Sequence, residues 1–149
     1  MLDAEPTDVL ELDELWSFVK LVVIRFGLIA LCRRTRQVVA YVGGQRNDKT
    51  CTDLRCRIPS DYFNLATCSD YWSSYAEVFN PKTHRSVGKH TGLTNLVERF
   101  NATLRNRLGR FTRKTLSISK KKENYEAVLH MFLLKYNLDM KDKWIACQI

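Results

Sequence analysis

The chain has 149 residues, 45% of them hydrophobic, and carries a formal net charge of +8. That length supports one domain with its own core, and the apolar fraction excludes a generally disordered chain. A basic balance of this size favours an anionic partner, nucleic acid before a membrane surface.

Residues 1–8, with Pro6 and several acids, read as a poorly ordered lead-in. Three strands are predicted next, over 9–19, 21–32 and 37–44, with RRTR at 33–36 as the hairpin turn and a glycine pair closing the third. A short helix over 48–58 follows, capped by Asp48. YFNLATC at 62–68 reads as a fourth strand and HRSV at 84–87 as a short fifth. Leu93, Leu96, Val97, Phe100, Leu104 and Leu108 then recur at helical intervals, with Gly109 as the stop. FTRKTLSISKKK is basic and left open. Residues 123–138 form a second amphipathic helix, and 139–149 a C-terminal tail. Three antiparallel strands followed by alternating units point to an α/β fold, a mixed five-stranded sheet flanked by helices.

The five cysteines are odd in number and not closely paired, which fits reduced thiols in an intracellular protein. The acidic N-terminus is unlike a signal peptide. The longest apolar run, LVVIRFGLIALC, is broken by Arg25 and too short to span a bilayer.

Charge is unevenly spread. From Lys82 to Lys122 there are twelve Lys and Arg against one acid, Glu98, whereas residues 1–20 hold six acids and one Lys. Glu98 therefore stands out. A helix advances about 100° per residue, so Thr94, Glu98, Asn101 and Arg105 share one polar strip beside the apolar stripe. The bland alternative is a solvated helix face. Asp70 follows the fourth strand by two residues, where reactive groups gather in α/β sheets, although an Asp there serves equally as the cap of a helix starting at Tyr71.

In VLELDELWSF, at 9–18, side chains alternate. Leu10, Leu12, Glu14, Trp16 and Phe18 share one face; Glu11, Asp13, Leu15, Ser17 and Val19 share the other. Only one of Asp13 and Glu14 can join a given site. Glu14 then needs a basic partner, and Glu11 is expected at the strand's solvated start. Asp13, Asp70 and Glu98 would repel one another if they converged. Magnesium or manganese resolves that repulsion, and two such ions can clamp the attacking and leaving oxygens of a phosphodiester.

LDELWSFV (12–19), SDYWSSY (69–75) and NLVERFNATLRNRLGRFTRKTLSISK (95–120) resemble three blocks of the insertion-sequence-one family of bacterial transposases. TRQVVAYVGGQRNDKTC (35–51) and HRSVGKHTGLTN (84–95) resemble it too, so the likeness runs over residues 8–138. The resemblance implies a ribonuclease-H-like DDE catalytic domain over 9–138 that cleaves DNA and transfers strands. Its triad would be Asp13, Asp70 and Glu98, its cofactor two magnesium or manganese ions, and its partners transposon ends and target DNA. Arg105 stands where such enzymes place a basic contact to the DNA backbone. Further DNA contacts are expected from Lys89, Arg99, Asn101, Arg107, Arg110, Arg113 and Lys114, each of the basic ones open to the alternative of solvating the surface. Trp72, with Tyr71 and Tyr75, is placed to stack on splayed bases or to pack beneath the site. His84 and His90 are candidates for phosphate contact or proton transfer, against a structural role.

The family's upstream zinc-ribbon-like segment and helix-turn-helix are not in this sequence. The expectation is a separate or fused N-terminal DNA-binding protein, action as a homo-oligomer on DNA, and a bacterial cytoplasmic setting at the nucleoid. The segment 20–31 is less basic and less tryptophan-rich than the family pattern. Two other readings stay open: a truncated, non-cleaving DNA-binding regulator of transposition, and a ribonuclease-H-like nuclease without strand transfer. The intact acid triad separates catalysis from binding alone.

Overall fold

The computed structural model describes residues 1–19, 23–109 and 122–148, with backbone alone at 17–19, 23–26, 89 and 122. Five strands form one sheet: β1 (Val9–Val19), β2 (Val23–Cys32), β3 (Val38–Gly44), β4 (Ala66–Ser69) and β5 (His84–Ser86). Among the described residues four α-helices accompany them: α1 (Asp48–Arg57), α2 (Ser73–Val78), α3 (Asn95–Arg107) and α4 (Lys122–Ala146). The sheet order is β3-β2-β1-β4-β5. β1, β2 and β3 are antiparallel neighbours, whereas β4 runs parallel to β1 and β5 parallel to β4. This is the mixed, helix-flanked α/β sheet expected of a ribonuclease-H-like fold.

The alternation of β1 divides the core in two. Leu10 and Leu12 pack with Leu28, Ala30, Cys51, Leu54 and Tyr75, under α1 and α2. Leu15 packs with Ile29, Val97, Phe100, Leu104 and Leu129, under α3 and α4. Both clusters are buried, so each face of β1 is covered by helices. Gly44 lets α1 come close: a Cβ there would meet the Thr50 hydroxyl at 2.5 Å.

Several boundaries differ from expectation. The cap of α1 is Asn47, whose side chain accepts from the Thr50 N–H, rather than Asp48. The fourth strand is shorter than 62–68, because Pro59 leads into a single 3-10 turn over Ser60–Tyr62 before β4 begins at Ala66. The last helix runs past 138 to Ala146. Residues 1–8 are tied down through Asp8, which is 2% exposed and receives Arg34 Nε at 2.7 Å. Among the described residues no helix is long and apolar enough to cross a membrane.

Candidate active site

The parallel pairing of β1 with β4 sets Val9 beside Ala66, Leu10 beside Thr67 and Glu11 beside Cys68. Extending that register by two residues brings Asp70, just past the end of β4, abreast of Asp13. Helix α3 crosses the same side of β1. Asp13, Asp70 and Glu98 line one cleft of about 470 Å³, together with Thr94, Asn101 and Arg105. Glu14 lines it too, against the expectation that only one of Asp13 and Glu14 could join a given site, because the cleft lies across the strand rather than on one of its faces. The polar strip predicted on α3 is thus the wall of this cleft.

Each acid is held by a neighbour. Asn101 Nδ2 donates to Asp13 Oδ2 at 2.7 Å. The Trp72 backbone N–H donates to Asp70 Oδ1 at 3.1 Å. The Thr94 hydroxyl donates to Glu98 Oε1 at 3.0 Å. Burial pushes the Asp13 carboxyl up to about 6; the Glu14 backbone and Asn101 oppose this, and the charges of Glu98 and Asp70 add to it. Asp13 therefore feels the charges of both other acids. Among the described residues, no three acids, histidines or cysteines gather tightly enough to hold one ion, so the acids are spread along the cleft.

The donor set suits a hard divalent cation. It consists of oxygen ligands alone, and one of them is an orphan: Asn101 is 1% exposed, and its Oδ1 has no hydrogen-bond partner among the described residues. Carboxylates that repel each other, one of them held off its ordinary ionisation, are what added positive charge would relieve.

Glu11 corrects an expectation. It is not at a solvated end but 1% exposed, and it receives Arg33 Nε at 2.8 Å. Its other oxygen accepts the N–H groups of Leu96 and Val97 at 3.0 and 3.1 Å. A carboxylate from β1 thus caps α3, using the favourable field of a helix N-terminus. Thr94, the residue at the cap position, makes no side-chain cap bond, and its hydroxyl serves Glu98 instead. The partner that Glu14 needed is Arg46, which meets Glu14 Oε1 at 2.9 Å through Nη2. The Arg46 guanidinium also lies 4.7 Å from the Trp72 ring centroid. Nothing local in the sequence marks Arg46, because it is brought to β1 only by the return of the chain after β3.

The predicted DNA contacts separate. Arg105 lines the cleft. Asn101 lines the same cleft but is 1% exposed, its side-chain amide held against Asp13. Arg99 and Arg107 line a different pocket. Arg110, Arg113 and Lys114 lie outside the described residues, as does the side chain of Lys89. Trp72 is half-buried beside Asp70, and Tyr71 is 72% exposed. Tyr75 cannot stack on a base, being fully buried in the core edge-on to Trp72. His84 is half-buried: Thr67 Oγ1 lies 2.8 Å from Nδ1, Ser69 Oγ lies 3.2 Å from Nε2, and burial holds its pKa below the usual value. His90 is exposed, and neither histidine lines the cleft.

The sequence pattern of the IS1 transposase family matches residues 8–139. The insertion element iso-IS1n protein InsB of Shigella dysenteriae is 38% identical over 127 residues, covering 85% of this chain and 94% of that protein. The insertion element IS1 protein InsB of Shigella flexneri is 32% identical over 124 residues, covering 83% of this chain and 92% of that protein. The insertion element IS1 4 protein InsB of Escherichia coli (strain K12) is also 32% identical over 124 residues, with 83% and 72% covered.

Proposed function

Because this chain belongs to the IS1 transposase family, we propose that its cleft cuts DNA at a transposon end and transfers the freed strand to target DNA. The observation that carries this reading is the joint presence of Asp13, Asp70 and Glu98 on one cleft wall. Water attacks the end phosphodiester and leaves a 3′ hydroxyl. That hydroxyl then attacks a target phosphodiester, one P–O bond forming as another breaks. No protein nucleophile is required.

Asp13, Asp70 and Glu98 would hold magnesium or manganese, with the Asn101 carbonyl oxygen as a further donor. When bound, such ions polarise the phosphodiester and offset its developing charge. The chain's own groups do the positioning. Asn101 fixes one oxygen of Asp13 and leaves the other toward the cleft. Thr94 and the Trp72 N–H fix Glu98 and Asp70. Arg105 supplies positive charge in the same cleft for the DNA backbone. Assembly as a homo-oligomer on DNA, with end recognition by a separate or fused DNA-binding protein, belongs to the same proposal.

The test is a magnesium-dependent nicking and joining assay on end-bearing DNA. Wild type should cut and join, whereas Asp70→Asn should lose at least a hundredfold in rate, in the range seen when charge stabilisation at a reacting centre is removed. Cutting that survives Asp70→Asn would remove the proposed site.

A further inference from the structure

α3 carries a second feature on its other flank. Around the helix, Thr94, Glu98, Asn101 and Arg105 cluster near one direction, whereas Leu96, Arg99, Thr103 and Arg107 cluster about half a turn away. The sheet-facing residues Val97, Phe100 and Leu104 lie between the two sets. On this second flank is a pocket of about 210 Å³, and four of its lining side chains are cations: Arg36, Arg99, Arg107 and Lys143. They come from three segments, namely the β2–β3 turn, α3 and α4. No described acid lines the pocket, and among the described residues none of the four is in an ion pair.

Such a gathering is costly without a counter-charge, since like charges at close range repel. Phe100 and Tyr136 line the pocket beneath the cations, their rings 4.8 Å apart and edge-on. Burial pushes the Tyr136 phenol up, and Arg36 and Arg107 both oppose that push, which puts the two guanidiniums within electrostatic reach of one ring. Arg36 adopts φ 57°, the left-handed region, and its backbone N–H is fixed to the Cys32 carbonyl at 2.8 Å. The turn that carries this cation therefore has a defined shape.

We propose that this pocket is a second DNA-backbone site, taking phosphodiester groups on the flank of α3 opposite the acidic cleft. It rests on the DNA reading given above and extends it: DNA would touch both flanks of one helix, the acids on one side and the four cations on the other. Arginine forks suit phosphate oxygens, and the spread of four cations suits successive phosphates better than one small anion.

The test is fluorescence anisotropy of the full chain with a 30-base-pair duplex of arbitrary sequence, without divalent metal, across a salt series. The variants are Arg36→Gln/Lys143→Gln and Arg99→Gln/Arg107→Gln; all four side chains belong to exposed residues. Thermal unfolding checks that each variant folds. Each lost phosphate contact should lower the slope of log K against log salt by about 0.9 and weaken binding at 0.1 M salt roughly five- to tenfold. Arg99→Lys/Arg107→Lys should keep most of the slope. Unchanged slope and affinity in both double Gln variants would overturn the proposal. So would a change in self-association by sedimentation with no change in DNA slope, which would assign the pocket to an acidic stretch of a second copy. Failure of the cleft reading is separate, because it shows as absent cutting by wild type whatever the salt slope does.

Discussion

Glu11 and Asp13 point to the same side of β1, toward α3, and both are carboxylates taken largely out of water. Glu11 is compensated by Arg33 and two helix N–H groups. Asp13 has one amide donor, the Glu14 backbone and two neighbouring acids. Replacing Glu11 by Ala should cost about 3–5 kcal/mol, since it leaves Arg33 without its partner and α3 without its cap. The Asp13→Asn change should go the other way. Burial raises its pKa to about 6, above the ordinary 3.8 of an aspartate, so the native state holds its proton more tightly. Stability is therefore lost as pH rises through that window, and the loss persists above it. At pH 7.5, Asp13→Asn should be more stable than wild type by about 2–3 kcal/mol, and near pH 4 the gap should close. Urea midpoints of both proteins at the two pH values decide it; an equal gap at both would show that ionisation of Asp13 is not the cause. The sequence distinguishes Asp13 from Glu14 by alternation, and it cannot distinguish Asp13 from Glu11. That difference depends on Arg33, the first residue of the β2–β3 turn, and on a helix 85 residues later.

The elements that follow a single periodicity were legible, and the mixed ones were not. β1, β2 and β3 carry apolar residues on both faces, each face meeting its own core, and α3 presents one apolar stripe to one core. α4 is apolar on more than one side: Tyr125, Leu129 and Leu133 are buried while Met131, Leu134 and Leu138 are exposed, so its end is blurred. The supposed start of the fourth strand misled for another reason. Tyr62 and Phe63 look like strand residues, yet Tyr62 serves the core from a 3-10 turn, its hydroxyl donating to the Leu2 carbonyl. α4 also does work that no pattern announces. β3 is an edge strand, and Asn137 of α4 bonds both backbone groups of Val38, each at 2.8 Å. Gln37 Nε2 donates in turn to the Asn137 carbonyl at 2.8 Å. Substituting Asn137 by Leu leaves the Val38 N–H and C=O without these partners on a strand edge that α4 covers. It should cost about 2 kcal/mol. Hydrogen exchange should show the loss locally, with protection falling in β3 and α4 before β1; uniform loss across the sheet would mean that Asn137 does not pin the helix.

At the scale of the molecule, a chain with a net charge of +8 brings Asp13, Asp70 and Glu98, besides Glu14, to one cleft. Strand register brings the first two together, and the cap that Glu11 supplies aims α3 so that Glu98 joins them. The polar strip was readable from helix geometry and the acid set from family resemblance, whereas the distances follow from packing that neither encodes locally. The arrangement carries an internal cost, visible in the raised pKa of Asp13, that a bound divalent cation would remove. Binding to the native state alone raises stability by RT ln(1 + [L]/Kd). With a Kd of about 1 mM, 10 mM magnesium adds about 1.4 kcal/mol, a rise of about 3–5 °C in Tm for a domain of this size. Potassium at equal ionic strength should not reproduce it. Asp13→Asn should begin with the higher Tm and gain almost nothing from magnesium, because the substitution removes both the repulsion and a ligand. A magnesium shift that is equal in wild type, Asp13→Asn and Glu98→Gln would place the ion elsewhere on the surface and detach the acids from any metal.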